Sequence, residues 1–199
     1  MDFGLMAMVF GAIFIVELPD KTFIAALVLS TRYRPLAVWV GVGLAFLVQT
    51  LIAVTAGGLL SLLPKTPVHL VAMVIFLVGA VLLFRAAPTA DQHRIAQEEE
   101  YAAQSAVTRT GWSAVLASFL VLFVAEWGDL SQLLTASLVA KHGHPVSVFL
   151  GAWLALLSVS GLAVIAGRTL LRHLRLSVVH YAGGCVCLLL AALTAYPLL

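Results

Sequence analysis

"VELPDKTF", residues 16–23, interrupts a run that is otherwise almost entirely apolar from Phe3 to Ser30. A charge at the bilayer centre costs about 2.5–3.5 kcal/mol or more on insertion scales. Glu17, Asp20 and Lys21 therefore either exclude a membrane span here or have a use inside one. Composition favours the second reading. Of the 199 residues, 62% are hydrophobic and 10% charged, and the mean hydropathy is +1.09, whereas a soluble domain carries roughly 25% charged residues. Apolar runs of about 20 residues, the length needed to cross a bilayer, recur along the whole chain.

Polar breaks at Ser30 to Pro35, Leu63 to His69, Arg85 to Gly111, Ala140 to Pro145 and Arg168 to Arg175 leave six apolar segments. They predict an all-α membrane protein of six transmembrane helices. Residues 1–87 form a first three-helix unit and residues 112–199 a second. Between them, residues 88–111 hold Asp91, Arg94, Glu98, Glu99, Glu100 and Arg109, and read as a solvated linker, partly helical. The first segment has no Lys or Arg before its apolar run and is expected to be retained rather than cleaved.

The two units resemble each other in order and spacing. "ELPDKT" (Glu17 to Thr22) parallels "EWGDLS" (Glu126 to Ser131), "VGVGLAFL" (Val40 to Leu47) parallels "LGAWLALL" (Leu150 to Leu157), and "AVTAGGLL" (Ala53 to Leu60) parallels "AVIAGRTL" (Ala163 to Leu170). Three helices per unit make the second enter from the opposite face, so the expected relation is an inverted repeat. Sites in such proteins lie near the midplane where the repeats meet. Loops with Arg32, Arg34, Arg85, Arg94, Arg109, Arg168, Arg172 and Arg175 share one side, against Lys65 and Lys141 on the other. The positive-inside rule puts the arginine side in the cytoplasm and both termini outside it.

Apart from Asp2 and the linker, the acidic residues are Glu17, Asp20, Glu126 and Asp129. Within each motif they stand three apart, on one face of a helix. Two such faces would make a four-carboxylate cage suited to hard divalent cations such as calcium, manganese or magnesium. The motifs hold no His, Cys or Met, which argues against zinc or copper. Pro19 has no N–H for the Ile15 carbonyl, and Gly128 loosens the equivalent place. Broken helices of this kind offer carbonyls to cations. Thr22, Ser131 and Gln132 are candidate neutral oxygens; Gln49, Ser158 and Ser160 are candidates for the ion path or for polar glue between helices. Lys21 follows Glu17 by four residues and is expected to pair with it, leaving Glu126 as the main proton carrier. Carboxylates clustered away from water need protons or metal to neutralise them, so the two should compete for one site.

Other classes fit less well. A net charge of +2 with basic residues confined to loops gives no nucleic-acid surface. Cys185 and Cys187 lie two apart on one helix, on different faces, which suits neither a disulfide nor a redox enzyme. His69 and His180 sit at segment starts and read as interfacial.

The paired motifs resemble the Glu-x-Gly-Asp-Lys/Arg-Thr/Ser signature that occurs twice per chain in the Gdt family (uncharacterised protein family 0016), cation/proton exchangers of the lysine exporter superfamily. The resemblance covers essentially the whole chain. It implies a multi-pass antiporter, not an enzyme and without a cofactor, that takes Mn2+ or Ca2+ and protons as substrates at Glu17, Asp20, Glu126 and Asp129. A bacterial plasma membrane would be its location. The superfamily kinship keeps one alternative, an exporter of organic cations such as basic amino acids. Pro19 stands where the first signature has Gly, and Leu130 where the second has a basic residue.

Overall fold

In lipid every backbone N–H and C=O must find a partner within its own segment, so long apolar runs fold as helices. The computed structural model describes residues 1–18, 20–105, 109–173 and 176–195, side chains at 65, 91 and 167–173 excepted. Among these the chain is helical throughout its regular structure: α1 (Phe3–Glu17), α2 (Lys21–Arg32), α3 (Pro35–Leu60), α4 (Lys65–Ala86), a 3₁₀ turn (Ala87–Thr89), α5 (Ala90–Gln104), α6 (Trp112–Ala125), α7 (Leu130–His142), α8 (Pro145–His173) and α9 (Leu176–Ala195). The ends follow local chemistry. The Asp2 carboxylate accepts the Leu5 N–H at 2.9 Å and starts α1. Pro35 opens α3, and Gly143, at φ +68°, closes α7 in a left-handed turn.

Four helices, α3, α4, α8 and α9, are each long and apolar enough to cross a membrane. The other two apolar segments, each expected as one span disturbed at Pro19 or loosened at Gly128, are broken at the acidic motif. α1 and α2 meet at 70°, α6 and α7 at 73°, and counting each bent pair as one span gives six.

Packing between the halves is reciprocal: α1 and α2 lie against α8, α6 and α7 against α3, and α4 runs along α9. Two glycines make the close approaches possible. A Cβ at Gly41 of α3 would collide with the Val115 carbonyl of α6, and a Cβ at Gly151 of α8 would stand 2.6 Å from the Met6 carbonyl of α1. Small residues at such crossings are how membrane helices gain contact without a hydrophobic driving force. Side-chain bonds tie one end of the bundle together: the Asp2 N–H donates to Ser147 Oγ at 2.9 Å, and Lys141 Nζ to Thr194 Oγ1 at 3.0 Å.

The linker departs from its expected form. Much of it is the helix α5, which does not simply stand in solvent but packs against α2 and touches α9. Ala90, Tyr101 and Ser105 are buried while Glu99 and Glu100 remain exposed. A stripe of small residues and one aromatic at helical spacing is hidden among charges that dominate the composition. Cys185 and Cys187 are free thiols, the first exposed and the second buried.

Candidate metal centre

Both motifs build the same local turn. α1 stops at Glu17, and the Asp20 N–H returns to the Glu17 carbonyl at 3.0 Å; α6 stops at Ala125, and the Asp129 N–H returns to the Glu126 carbonyl at 3.3 Å. Each aspartate then caps the next helix. Asp20 Oδ1 accepts the Lys21 N–H at 2.7 Å, and Asp129 Oδ2 the Ser131 N–H at 3.5 Å. In the second motif Gly128 takes φ +73°, a left-handed turn that favours glycine. The first has Pro19 there, so the expectation that it frees the Ile15 carbonyl concerns a residue outside those described. The glutamates thus end helices and the aspartates begin them, in place of the shared helix face that three-residue spacing predicts.

The two breaks meet. One carboxylate oxygen from each of Glu17, Asp20, Glu126 and Asp129 lies within 4.8 Å of the other three. Glu17 is 0% and Glu126 2% exposed, and neither carboxylate has a hydrogen-bond partner on either oxygen. Buried polar atoms are nearly always partnered, and an unpartnered carboxylate is the most costly kind. Four acids face one base. Lys21 Nζ stands 3.6 Å from Asp129 Oδ1, so the only cationic side chain of either motif crosses to the opposite half. This corrects the expected Lys21–Glu17 pair: the break after Glu17 removes the continuous helix on which an i, i+4 pair depends.

The neutral candidates divide. Thr22 and Ser131 are buried close to Glu17, and Thr22 Oγ1 has no partner of its own. Gln132 secures the second break, its Nε2 donating to the Glu126 carbonyl at 2.7 Å and its Oε1 accepting the Gly128 N–H at 3.3 Å. Gln49 of α3 donates to the Phe123 carbonyl at 3.0 Å. That carbonyl would bond the Trp127 N–H in an unbroken helix, but Trp127 turns to Val124 instead. Gln49 therefore acts as glue between helices, at the point where the break leaves an acceptor free. With Thr50, Ser131, Gln132 and Thr135 it also lines a small polar cavity beside the cluster. Ser158 donates to Leu154 O at 2.7 Å and Ser160 to Leu157 O at 3.1 Å, each within its own helix.

Fold and site define a multi-pass helical membrane protein with an acidic cluster held between two broken helices. Comparison with known proteins gives that description a family. The family model of the divalent cation/proton antiporter GDT1 matches residues 5–91 and 114–199, and the chain belongs to this family. A GDT1-like protein of Synechocystis is 33% identical over 164 residues, 76% of this chain and 80% of that protein. The chloroplastic protein PAM71 of Arabidopsis thaliana is 31% identical over 209 residues, 94% of this chain but 55% of its own length. GDT1-like protein 3 of the same plant is 28% identical over 190 residues, 88% of this chain and 64% of its own. The chain thus spans little more than half of PAM71 and just under two thirds of the other plant protein. No solved structure matches it. The family is one of transporters rather than enzymes.

Proposed function

We propose that the chain exchanges Mn2+ or Ca2+ for protons and that Glu17, Asp20, Glu126 and Asp129 hold the ion. The observation that carries this reading is the pair of fully buried, unpartnered glutamates at the centre of a four-carboxylate group. Ionised, four acids against the Lys21 ammonium leave three net negative charges, which a bilayer interior does not tolerate. A divalent cation or protons must neutralise them, and competition for the same oxygens couples the two. Oxygens on opposite sides of a bound Ca2+ stand about 4.6–5.2 Å apart, twice the metal–oxygen distance. A group whose members lie within 4.8 Å therefore suits an ion of this size with little rearrangement. Mg2+ keeps its own water more firmly.

The reciprocal packing of the halves and the collinear motifs support an inverted repeat, residues 1–87 against 112–199 with 88–111 between. Alternating exposure of a site between the repeats turns competition into transport. The arginine bias puts the linker in the cytoplasm and both termini outside. In a bacterial plasma membrane the inward proton gradient would then drive the cation out. Gln104 is exposed and Ser105 fully buried, so a cysteine at Gln104 is the suitable reporter. It should resist impermeant thiol reagents on intact cells and react once the membrane is opened.

One observation favours a second reading, the export of an organic cation: the Lys21 ammonium already lies against Asp129. The compact spacing of the four carboxylates leaves room for an ion but not for the body of an amino acid. Proton counterflow in proteoliposomes, driven in turn by Mn2+, Ca2+, Mg2+ and lysine, separates the two. Flux with Mn2+ or Ca2+ and none with lysine is expected. Flux with lysine alone, or with no ion at all, would overturn the proposal.

A further inference from the structure

We propose that Tyr101, on the linker helix α5, plugs the ion site from the linker face of the membrane, so that α5 serves as a gate as well as a tether. The inference rests on the carboxylate cluster being the ion site. α5 turns Ala90, Tyr101 and Ser105 inward; Tyr101 is 5% and Ser105 0% exposed. The helix lies against α2, whose first residue follows the Asp20 cap. From there Tyr101 is within electrostatic reach of Asp20, Glu126 and Asp129, the three carboxylates that also act on Lys21. Glu17, in the same group, adjoins Thr22 and Ser131. An ion arriving from the linker face would meet Tyr101 before it reached the four carboxylates, which lie within 4.8 Å of one another.

The chemistry of the side chain suits this position. Its ring fills space and excludes water. Burial chiefly, and then the neighbouring carboxylates, hold the phenol proton above its ordinary range, so the plug stays neutral and does not compete with the cation. Alanines, a serine and one ring make a small docking face, and α5 carries Glu99 and Glu100 on its exposed side. An element held by so little apolar contact can open at modest cost, as gating segments must. In the sequence this residue is the only Phe, Trp or Tyr between Pro88 and Gly111.

The test is a chemical measure of access that needs no transport. Cys185 and Cys187 are replaced by alanine, and Ser131→Cys, next to Glu17, supplies a thiol beside the cluster. Its reaction with a membrane-impermeant methanethiosulfonate is timed in vesicles of both orientations. Tyr101→Ala should speed labelling from the linker face by about tenfold or more, the size of a modest population shift, and leave the other face unchanged. Tyr101→Phe keeps the ring and should match the parent, while Tyr101→Trp should slow the reaction. The plug is refuted by an unchanged linker-face rate in Tyr101→Ala, by equal acceleration from both faces, or by Tyr101→Phe behaving like Tyr101→Ala. Should Tyr101→Ala not fold, a Tyr101→Trp rate no slower than the parent refutes it equally. Labelling as expected in a protein that moves no divalent ion would sink the antiporter reading and leave the plug intact.

Discussion

The two helix breaks each carry one Glu–Asp pair and differ in almost everything that surrounds it. At the second break Gln132 and Gln49 satisfy backbone carbonyls of Glu126 and Phe123. At the first, the position of Gln132 is taken by Phe23, a core residue, and the repeat alignment sets Val159 opposite Gln49. Lys21 reaches from the first break to Asp129, whereas its counterpart Leu130 points away, against α4 at Gly79. The ligands are thus duplicated while their supports are not: one break is fastened by side-chain amides, the other supplies the site's cation. A protein with identical ligands in both halves can still divide holding and moving between them.

The largest effect should fall on what the breaks share. Glu17→Gln and Glu126→Gln each remove one ligand charge at constant size. Each should lower Mn2+ or Ca2+ transport beyond the roughly ten- to hundredfold typical of changes in supporting residues, with insertion and folding retained. Vesicle uptake measures it; substantial activity in either variant would mean that the duplicated acids are not the common element.

The amide clamp comes next. Gln132→Leu leaves the Gly128 N–H without its acceptor and takes one donor from the Glu126 carbonyl; Gln49→Leu strips the Phe123 carbonyl. Each should cost about 0.5–1.5 kcal/mol of stability, the net worth of a typical hydrogen bond, and weaken metal affinity up to roughly tenfold by letting Glu126 wander. Thermal unfolding in detergent and metal titration provide the two readouts. Unchanged values in both variants would make the second break no firmer than the first.

A double-mutant cycle addresses Lys21. With the ammonium 3.6 Å from Asp129, Lys21→Leu and Asp129→Asn should be non-additive in stability by about 0.5–1 kcal/mol. Lys21→Leu and Glu17→Gln should add. The reverse pattern would restore the pairing that four-residue spacing suggests and return the cation to its own half.

Much of this was legible in the sequence, and the parts that were not have physical causes. Apolar runs and polar breaks locate the spans because lipid admits little else, and intramembrane carboxylates stand out by their cost, so the four acids were visible at once. At Gly128 only a loosening was legible, since glycine permits a break without demanding one, and its φ of +73° shows that the helix stops. Lys21 was assigned to Glu17 because i, i+4 pairing presumes a helix that the motif itself interrupts. Gln132 and Gln49 looked alike as polar residues, and only the freed carbonyls distinguish clamps from ligands. Tyr101 was hidden by composition: a linker rich in Glu and Gln reads as solvated, although its lone aromatic and the spacing of Ala90, Tyr101 and Ser105 hold a buried stripe.

The smallest effect concerns α8, where the comparison predicts that nothing is at stake. α3 sends Gln49 to the break it packs against; α8 packs against α1 and α2 but presents Val159 at the aligned position, flanked by Ser158 and Ser160, whose hydroxyls bond to Leu154 and Leu157 of the same helix. Serines in membrane helices commonly satisfy themselves in this way, and such a hydroxyl has little left to offer an ion. Ser158→Ala and Ser160→Ala should therefore change transport by less than about twofold, within the few tenths of a kcal/mol typical of substitutions away from buried networks. Uptake rates for the two variants beside Gln49→Leu make the contrast direct. A loss of about tenfold or more in either serine variant, some 1.4 kcal/mol in the barrier, would mean that the ion's route runs along α8 as well, and that the first break draws from α8 the support the second takes from Gln49.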